Sequence, residues 1–191
     1  MIKTPVYRVN LVVITCSWVA AGYTFYILAF YVKEIGGSLF LNTIFSSLSD
    51  AVASFVSGFV ALKLGAKQTI SFSFLLACFF GVLIIFFKGA GIFFMAFFVI
   101  GAKFGAASAF NLCYITTNAY FPVKFSSQVF GFVNLVSKSL LTTSSIVSEM
   151  AHPYPMVVFC CFCALSFTTI SYLRDPPAAS QAVSRKHTDA D

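Results

Sequence analysis

An all-α membrane protein, built as a bundle of six transmembrane helices, is the fold class this sequence predicts. Three observations carry it. Of 191 residues, 59% are hydrophobic and 9% charged, where a soluble domain carries about 25% charged residues. Apolar runs of about twenty residues recur, the length that crosses a roughly 30 Å hydrocarbon core. Short turns holding Gly, Pro and Lys separate them, and the runs leave little chain for a soluble domain.

The first span covers about residues 9–31 and ends at Lys33-Glu34-Ile35-Gly36-Gly37-Ser38. Lys3 and Arg8 precede it, but its apolar run is too long for the h-region of a signal peptide. The second covers about 39–62, before the basic turn Lys63-Leu64-Gly65-Ala66-Lys67-Gln68. The third covers about 69–87 and meets Lys88-Gly89-Ala90-Gly91. The fourth covers about 92–117, followed by a loop with Phe121-Pro122-Val123-Lys124. The fifth covers about 127–150 and stops at His152-Pro153-Tyr154-Pro155, because two prolines cannot continue a helix. The sixth covers about 156–173. The expected organisation is a cytoplasmic N-terminal segment over 1–8, the bundle over 9–173, and a polar, disordered cytoplasmic tail over 174–191.

A net charge of +6 would point to nucleic acid in a soluble protein. Here no nucleic-acid motif occurs, and the positive-inside rule accounts for the charge. Lys3, Arg8, Lys63, Lys67, Lys124, Arg174, Arg185 and Lys186 fall on one side of the spans, with only Lys33 and Lys88 on the other. Both termini are therefore expected in the cytoplasm.

Two lysines and one aspartate remain at membrane depth: Asp50 in the second span, Lys103 in the fourth and Lys138 in the fifth. Each is about eleven residues, roughly 16 Å of helix rise, from a span end. A cation there costs roughly 2.5–3.5 kcal/mol on insertion scales, so such groups face a bundle interior or a wet cavity. Around Lys138 a polar stripe runs at helical spacing through Ser127, Gly131, Asn134, Thr142, Ser145 and Glu149. It predicts one helix lining a polar path, with Lys138 and Asn134 facing substrate and Glu149 solvated near the outer interface. In the second span Thr43, Ser47, Asp50, Ser54, Ser57 and Ala61 share a face. Small polar residues also pack helices together, so the stripe reads equally as an interface. Asp50 is placed to neutralise Lys103 or Lys138, and the sequence leaves both open. Lys103, within Gly101-Ala102-Lys103-Phe104-Gly105, is open between a structural ion pair and a gating or substrate role; the Gly101/Gly105 spacing is a packing signal. Trp18, Tyr23, Tyr26 and Phe30 lie on the first span. Tyr23 and Tyr26 are the rings expected to wall an organic substrate, although packing accounts for most aromatics in such a chain.

No cofactor or metal is expected. Cys16, Cys78, Cys113, Cys160, Cys161 and Cys163 all fall in apolar spans, without the His or carboxylate partners of a metal site. No catalytic motif and no P-loop occurs. The chain is expected not to be an enzyme, and any transport to be secondary or facilitated.

The order of these residues resembles the organic cation/anion/carnitine transporter branch of the major facilitator superfamily, in its C-terminal six-helix half. Trp18-Val19-Ala20-Ala21-Gly22-Tyr23 and Gly36-Gly37-Ser38-Leu39-Phe40-Leu41-Asn42 are similar to the seventh and eighth helices of that family. Asp50 falls at its acidic position and Gly65 at its loop glycine. Lys103-Phe104-Gly105, Phe110, Asn111, Thr117 and Pro122 are similar to its tenth helix and the loop after it, and Gly131 falls at a family glycine. Lys3-Thr4-Pro5-Val6-Tyr7-Arg8 resembles the end of its central loop. Lys138 falls where the resemblance implies a basic residue in anion and carnitine carriers. It departs from the pattern at Val52, Ala119 and Ser126, and the loop charges of the cytoplasmic gate become Leu62-Lys63 and Ala66-Lys67.

The resemblance implies alternating access across a plasma membrane for a small organic ion, an anion or zwitterion before a cation. Lys138 would draw the substrate, and Asp50, Lys103, Lys63 and Lys67 would be ion-pair or gating residues. It further implies that a missing N-terminal bundle or a second copy completes the path, and that a lone chain does not transport. A half-carrier that binds or regulates a full-length relative is the rival expectation.

Overall fold

The computed structural model describes residues 5–32, 38–87, 91–151 and 153–174. Across them run α1 (Pro5–Tyr31), α2 (Leu39–Leu64), α3 (Ala66–Phe86), α4 (Ile92–Tyr120), α5 (Val123–Leu141), α6 (Ser144–Ser148) and α7 (Tyr154–Ser171). No strand occurs among the described residues. Residues 1–4, 33–37, 88–90, 152 and 175–191 lie outside them, and with them the expectations for Lys3, Lys33, Lys88, Arg185, Lys186 and the disordered tail.

Five helices, α1, α2, α3, α4 and α7, are long and apolar enough to cross a membrane. The fifth expected span differs. It was expected as one helix over 127–150. Instead α5 ends at Leu141, a turn follows at Thr142 and Thr143, and α6 is a separate short helix. At 19 residues α5 is long enough to span, but too polar to be counted with the other five. The break has a local cause. The Thr142 hydroxyl donates to Ser139 O (2.8 Å), Thr143 to Leu140 O (2.7 Å) and Ser144 to Leu141 O (2.7 Å). These i−3 bonds offer the backbone an alternative to the helical ladder. The seven-residue polar stripe is therefore not one helical face: Ser127 to Lys138 lie on α5, Ser145 on α6 and Glu149 beyond its end.

Other boundaries move by a few residues. α1 begins at Pro5, so residues 5–8 join the first helix rather than an N-terminal segment. The expected turn at 63–68 shrinks to Gly65, whose φ of 87° lies in the left-handed region where a side chain is strained. Lys63 and Lys67 thus sit on helices, in the last turn of α2 and the first of α3.

α4 is the element around which the bundle is arranged, with α1, α2 and α3 packed against it; α7 packs on α3 and α1, and α5 on α1. Its glycines allow the closest approach. A Cβ on Gly105 would sit 2.7 Å from Ala77 N and 2.9 Å from Ser73 O of the α3 backbone, and one on Gly101 would strike the Phe80 ring at 2.7 Å. The Gly101/Gly105 pair is a packing face, as its spacing suggests.

α2 shows the inversion that a bilayer imposes. Its buried residues are Ser46, Ser49, Ala53 and Ser57, while Phe40, Phe55, Phe59 and Leu62 are exposed. Helix association in lipid gains nothing from hiding apolar surface, so small polar residues form the contact and large apolar ones face outward. The buried face is turned by about one residue from the expected stripe. Thr43, Ser47 and Ser54 are exposed, and Asp50 is half-buried at the edge of the seam.

At one end, the Asn10 amide donates to Arg174 O (2.7 Å) and accepts from Arg174 N (2.9 Å), tying the exit of α7 to α1. Gly105→Ala is expected to lower thermal stability in detergent by about 1–3 kcal/mol, because backbone atoms must move to admit the methyl group. Gly131→Ala, with nothing within 4 Å of its Cβ, is expected to be neutral or to stabilise by about 0.5–1 kcal/mol. Thermal unfolding followed by circular dichroism separates the two.

Candidate functional site

Polar chemistry inside the bundle concentrates where α2 crosses α4. Lys103 is buried on α4, with its Nζ 3.1 Å from Asp50 Oδ2 of α2. The same ammonium donates to Ser46 Oγ, one turn away on α2, and lies 5.5 Å from the centroid of the Phe25 ring of α1. An ion pair, a hydroxyl and a π-face thus hold one buried cation, the arrangement that low dielectric requires. Asp50 therefore pairs with Lys103 and not with Lys138. Along the same seam the Asn111 amide of α4 donates to Ser54 Oγ, Ser49 Oγ donates to Ile100 O (3.4 Å), and Ser108 Oγ donates to Ala53 O (3.4 Å).

Near Ser46 lies a small cavity of about 40 Å³, lined by Val32, Asn42, Phe45, Ser46, Ala96, Val99 and Ile100. That is room for a few water molecules at most, far below an organic ligand. This cavity is too small for an organic ion, whereas the exposed face of α5 is open.

Lys138 belongs to that face. It is exposed, its Nζ lies 5.6 Å from the centroid of the Tyr26 ring, and it has no carboxylate partner among the described residues. The break in α5 places it in the last helical turn instead of mid-helix. There the unsatisfied carbonyls and the negative end of the helix dipole favour a cation, by about 0.3–1 kcal/mol at an exposed site. Asn134, one turn back on α5, is half-buried and donates to Phe130 O (3.0 Å).

Between the two lysines runs a ladder of rings. Phe25 is 5.8 Å from Tyr26 and stacks on Phe110 at 5.6 Å. Phe110 meets Tyr114 at 5.7 Å, and Tyr114 stacks on Phe130 at 6.0 Å. Trp18 backs the ladder, 4.4 Å from Tyr114, with its indole N–H donating to Thr117 Oγ1 at 3.0 Å. Phe25, Tyr114 and Phe130 were not among the expected site residues. In a chain with 25 Phe no local pattern marks the rings that will meet; only the packing of α1, α4 and α5 selects them.

Among the expected substrate residues, then, Lys138 and Tyr26 meet, with Asn134 nearby. Tyr23 lies elsewhere. It is buried, its ring stacks on Phe162 of α7 at 4.6 Å, and its hydroxyl shares a 3.0 Å hydrogen bond with Thr143 at the α5–α6 turn. Tyr23 and Tyr26 are three positions apart and share one side of α1, offset by about 60°, and the neighbours packed there divide them: Tyr23 meets Phe162 and Thr143, Tyr26 meets Lys138. Of the expected gating residues, Asp50 and Lys103 pair. Lys63 is exposed. Lys67 donates to Leu173 O (2.7 Å) and Ser171 O (3.3 Å), capping the last carbonyls of α7.

The fold defines a polytopic, all-helical membrane protein with a buried ion pair and an aromatic-basic open face. Its curated relatives are transporters by name. The chain is 23% identical over 172 residues to "Solute carrier family 22 member 6-B" of Xenopus laevis, covering 87% of this chain and 31% of that protein. It is 27% identical over 140 residues to "Putative transporter B0252.3" of Caenorhabditis elegans, covering 72% of this chain and 28% of that protein. The chain thus spans about a third of the length of these relatives. No protein-family model matches it.

Asp50→Leu alone is expected to destabilise the protein by about 3–5 kcal/mol, because it strands a buried ammonium. Adding Lys103→Met is expected to restore most of that loss. Thermal unfolding of the two single variants and the double variant measures the cycle.

Proposed function

We propose that this chain forms one bundle of a secondary transporter for small organic ions, with an anion or zwitterion favoured over a cation. The observation that carries this reading is the contrast between two lysines. Lys103 is neutralised by Asp50, whereas Lys138 stands exposed beside Tyr26 with no carboxylate partner among the described residues. A positive charge next to an aromatic ladder suits a ligand with a carboxylate and a flat apolar body: the ammonium takes the charge and the rings take the face. The similarity to transporters over most of the chain supports the class.

In this reading the open face is completed by a second six-helix bundle, either an N-terminal half or a second copy, and alternating access rocks one bundle against the other. Both termini lie in the cytoplasm and the membrane is the plasma membrane. Lys138, Asn134 and Tyr26 contact substrate, while Tyr23 braces α1 against the α5–α6 turn. Asp50 and Lys103 hold the gate-bearing helices in register.

A second reading is favoured by one observation. Lys67 is engaged by the end of α7 rather than free at the gate. A half-carrier that binds a full-length relative without transporting would tolerate that.

Trp18, the chain's single tryptophan, reports on the ladder. Benzoate is expected to quench its fluorescence saturably in the detergent-solubilised protein, and benzyltrimethylammonium is not. Lys138→Ala is expected to weaken benzoate by about tenfold or more, the worth of a charge-assisted contact. Unchanged affinity in that variant removes Lys138 from recognition. Uptake of labelled benzoate by cells co-expressing the chain with an N-terminal bundle separates carrier from half-carrier.

A further inference from the structure

α3 and α7 form one of the larger helix pairs of the bundle, and two cysteines meet across it. Cys78 Sγ lies 3.9 Å from Cys160 O, and Cys160 Sγ lies 4.0 Å from Cys78 O. Reciprocal contacts of this kind set the two residues opposite one another across the seam, each thiol against the other's backbone. Local packing holds them there. Gly81, one turn along α3, has no room for a Cβ, which would lie 2.9 Å from Cys160 Sγ and 2.7 Å from the Phe159 ring. Of the neighbouring thiols, Cys161 is exposed and Cys163, one turn along α7 from Cys160, is buried.

The seam lies at membrane depth. By helix rise Cys78 is about 12 Å from Phe86, and Cys160 about 9 Å from Tyr154. Both cysteines are partly exposed. Beside them Leu75, Phe79 and Val82 on α3 and Val157 and Cys161 on α7 are exposed, an apolar surface that suits acyl chains. An oxidant that reaches this pair from outside the bundle arrives through the lipid.

We infer that Cys78 and Cys160 are a modification site for lipid hydroperoxides, which oxidise the pair to a disulfide that joins α3 to α7. One sulfur attacks the peroxide, the O–O bond breaks, and the lipid alkoxide takes that thiol's proton and leaves as the alcohol. The sulfenic acid formed is attacked by the second thiol. The S–S bond closes, and the hydroxyl leaves with the second proton as water. Two thiols and one hydroperoxide thus give one disulfide, one lipid alcohol and one water. The product fastens the seam between α3 and α7 in the position it has here. This inference is independent of any transport activity.

The test uses the whole chain in liposomes, with a protease site inserted in the segment joining α3 to α4. Cleavage separates a fragment holding Cys16 and Cys78 from one holding Cys113, Cys160, Cys161 and Cys163. After incubation with a phospholipid hydroperoxide the fragments are expected to stay joined on a non-reducing gel and to part on reduction. Cys78→Ser or Cys160→Ser is expected to abolish the joining, and Cys16→Ser or Cys161→Ser to leave it. Peptide mass mapping of the unmutated protein is expected to show Cys78 linked to Cys160, whether or not a variant folds. Fragments that part without reduction, a link that survives Cys78→Ser, or a link formed by aqueous peroxide and not by the lipid hydroperoxide each overturn the inference.

Discussion

A lysine carried into a low-dielectric bundle must be met by negative charge and hydrogen-bond acceptors, and the Lys103 ammonium obliges α2 to supply both. That requirement sets which flank of α2 turns toward α4. Once Asp50 and Ser46 are in place, Ser49, Ala53 and Ser57 follow at helical intervals into the same seam, and the phenylalanines of α2 have nowhere to go but outward. The cross-links between Asn111 and Ser54 and between Ser108 and Ala53 O extend the contact by further turns. Hydrophobic burial cannot do this work in lipid, so the polar seam supplies the specificity that an apolar core gives a soluble protein.

The opposite flank of α4 approaches α3 by omission of side chains. Gly105 brings the helix against the backbone at Ser73 and Ala77, and Gly101 against the Phe80 ring. One helix therefore carries two unlike interfaces, ionic and polar toward α2, close and steric toward α3. Both depend on its rotation about its own axis. α1 completes the arrangement by placing Phe25 over Lys103 and Trp18 behind Tyr114.

Lys103 and Lys138 meet the cost of a positive charge by different means. Lys103 is satisfied by partners on other helices. Lys138 stands in the last turn of a helix that ends early, where backbone carbonyls and the helix dipole offset part of its cost and the Tyr26 ring lies nearby. The first solution consumes the charge in holding the fold together. The second leaves the charge exposed at the surface of the bundle, beside the Tyr26 ring.

Hydropathy alone determined that the chain is an all-helical membrane bundle, since satisfying every backbone polar group in lipid leaves few alternatives to apolar helices. Sequence also marked Asp50, Lys103 and Lys138, because any ionisable residue stands out in so apolar a chain, and it marked Gly101 and Gly105 as a packing pair. It did not show the break after Leu141, because a Ser/Thr-rich run reads equally as a polar helical face until its hydroxyls are seen to bond the preceding carbonyls. Nor could it choose between Lys103 and Lys138 as the partner of Asp50, send Tyr23 to the α5–α6 turn and Tyr26 to Lys138, or pair Cys78 with Cys160. Those outcomes depend on how each helix is rotated against neighbours distant in the chain. Helical periodicity fixes which residues share a face, and only tertiary packing decides what that face meets.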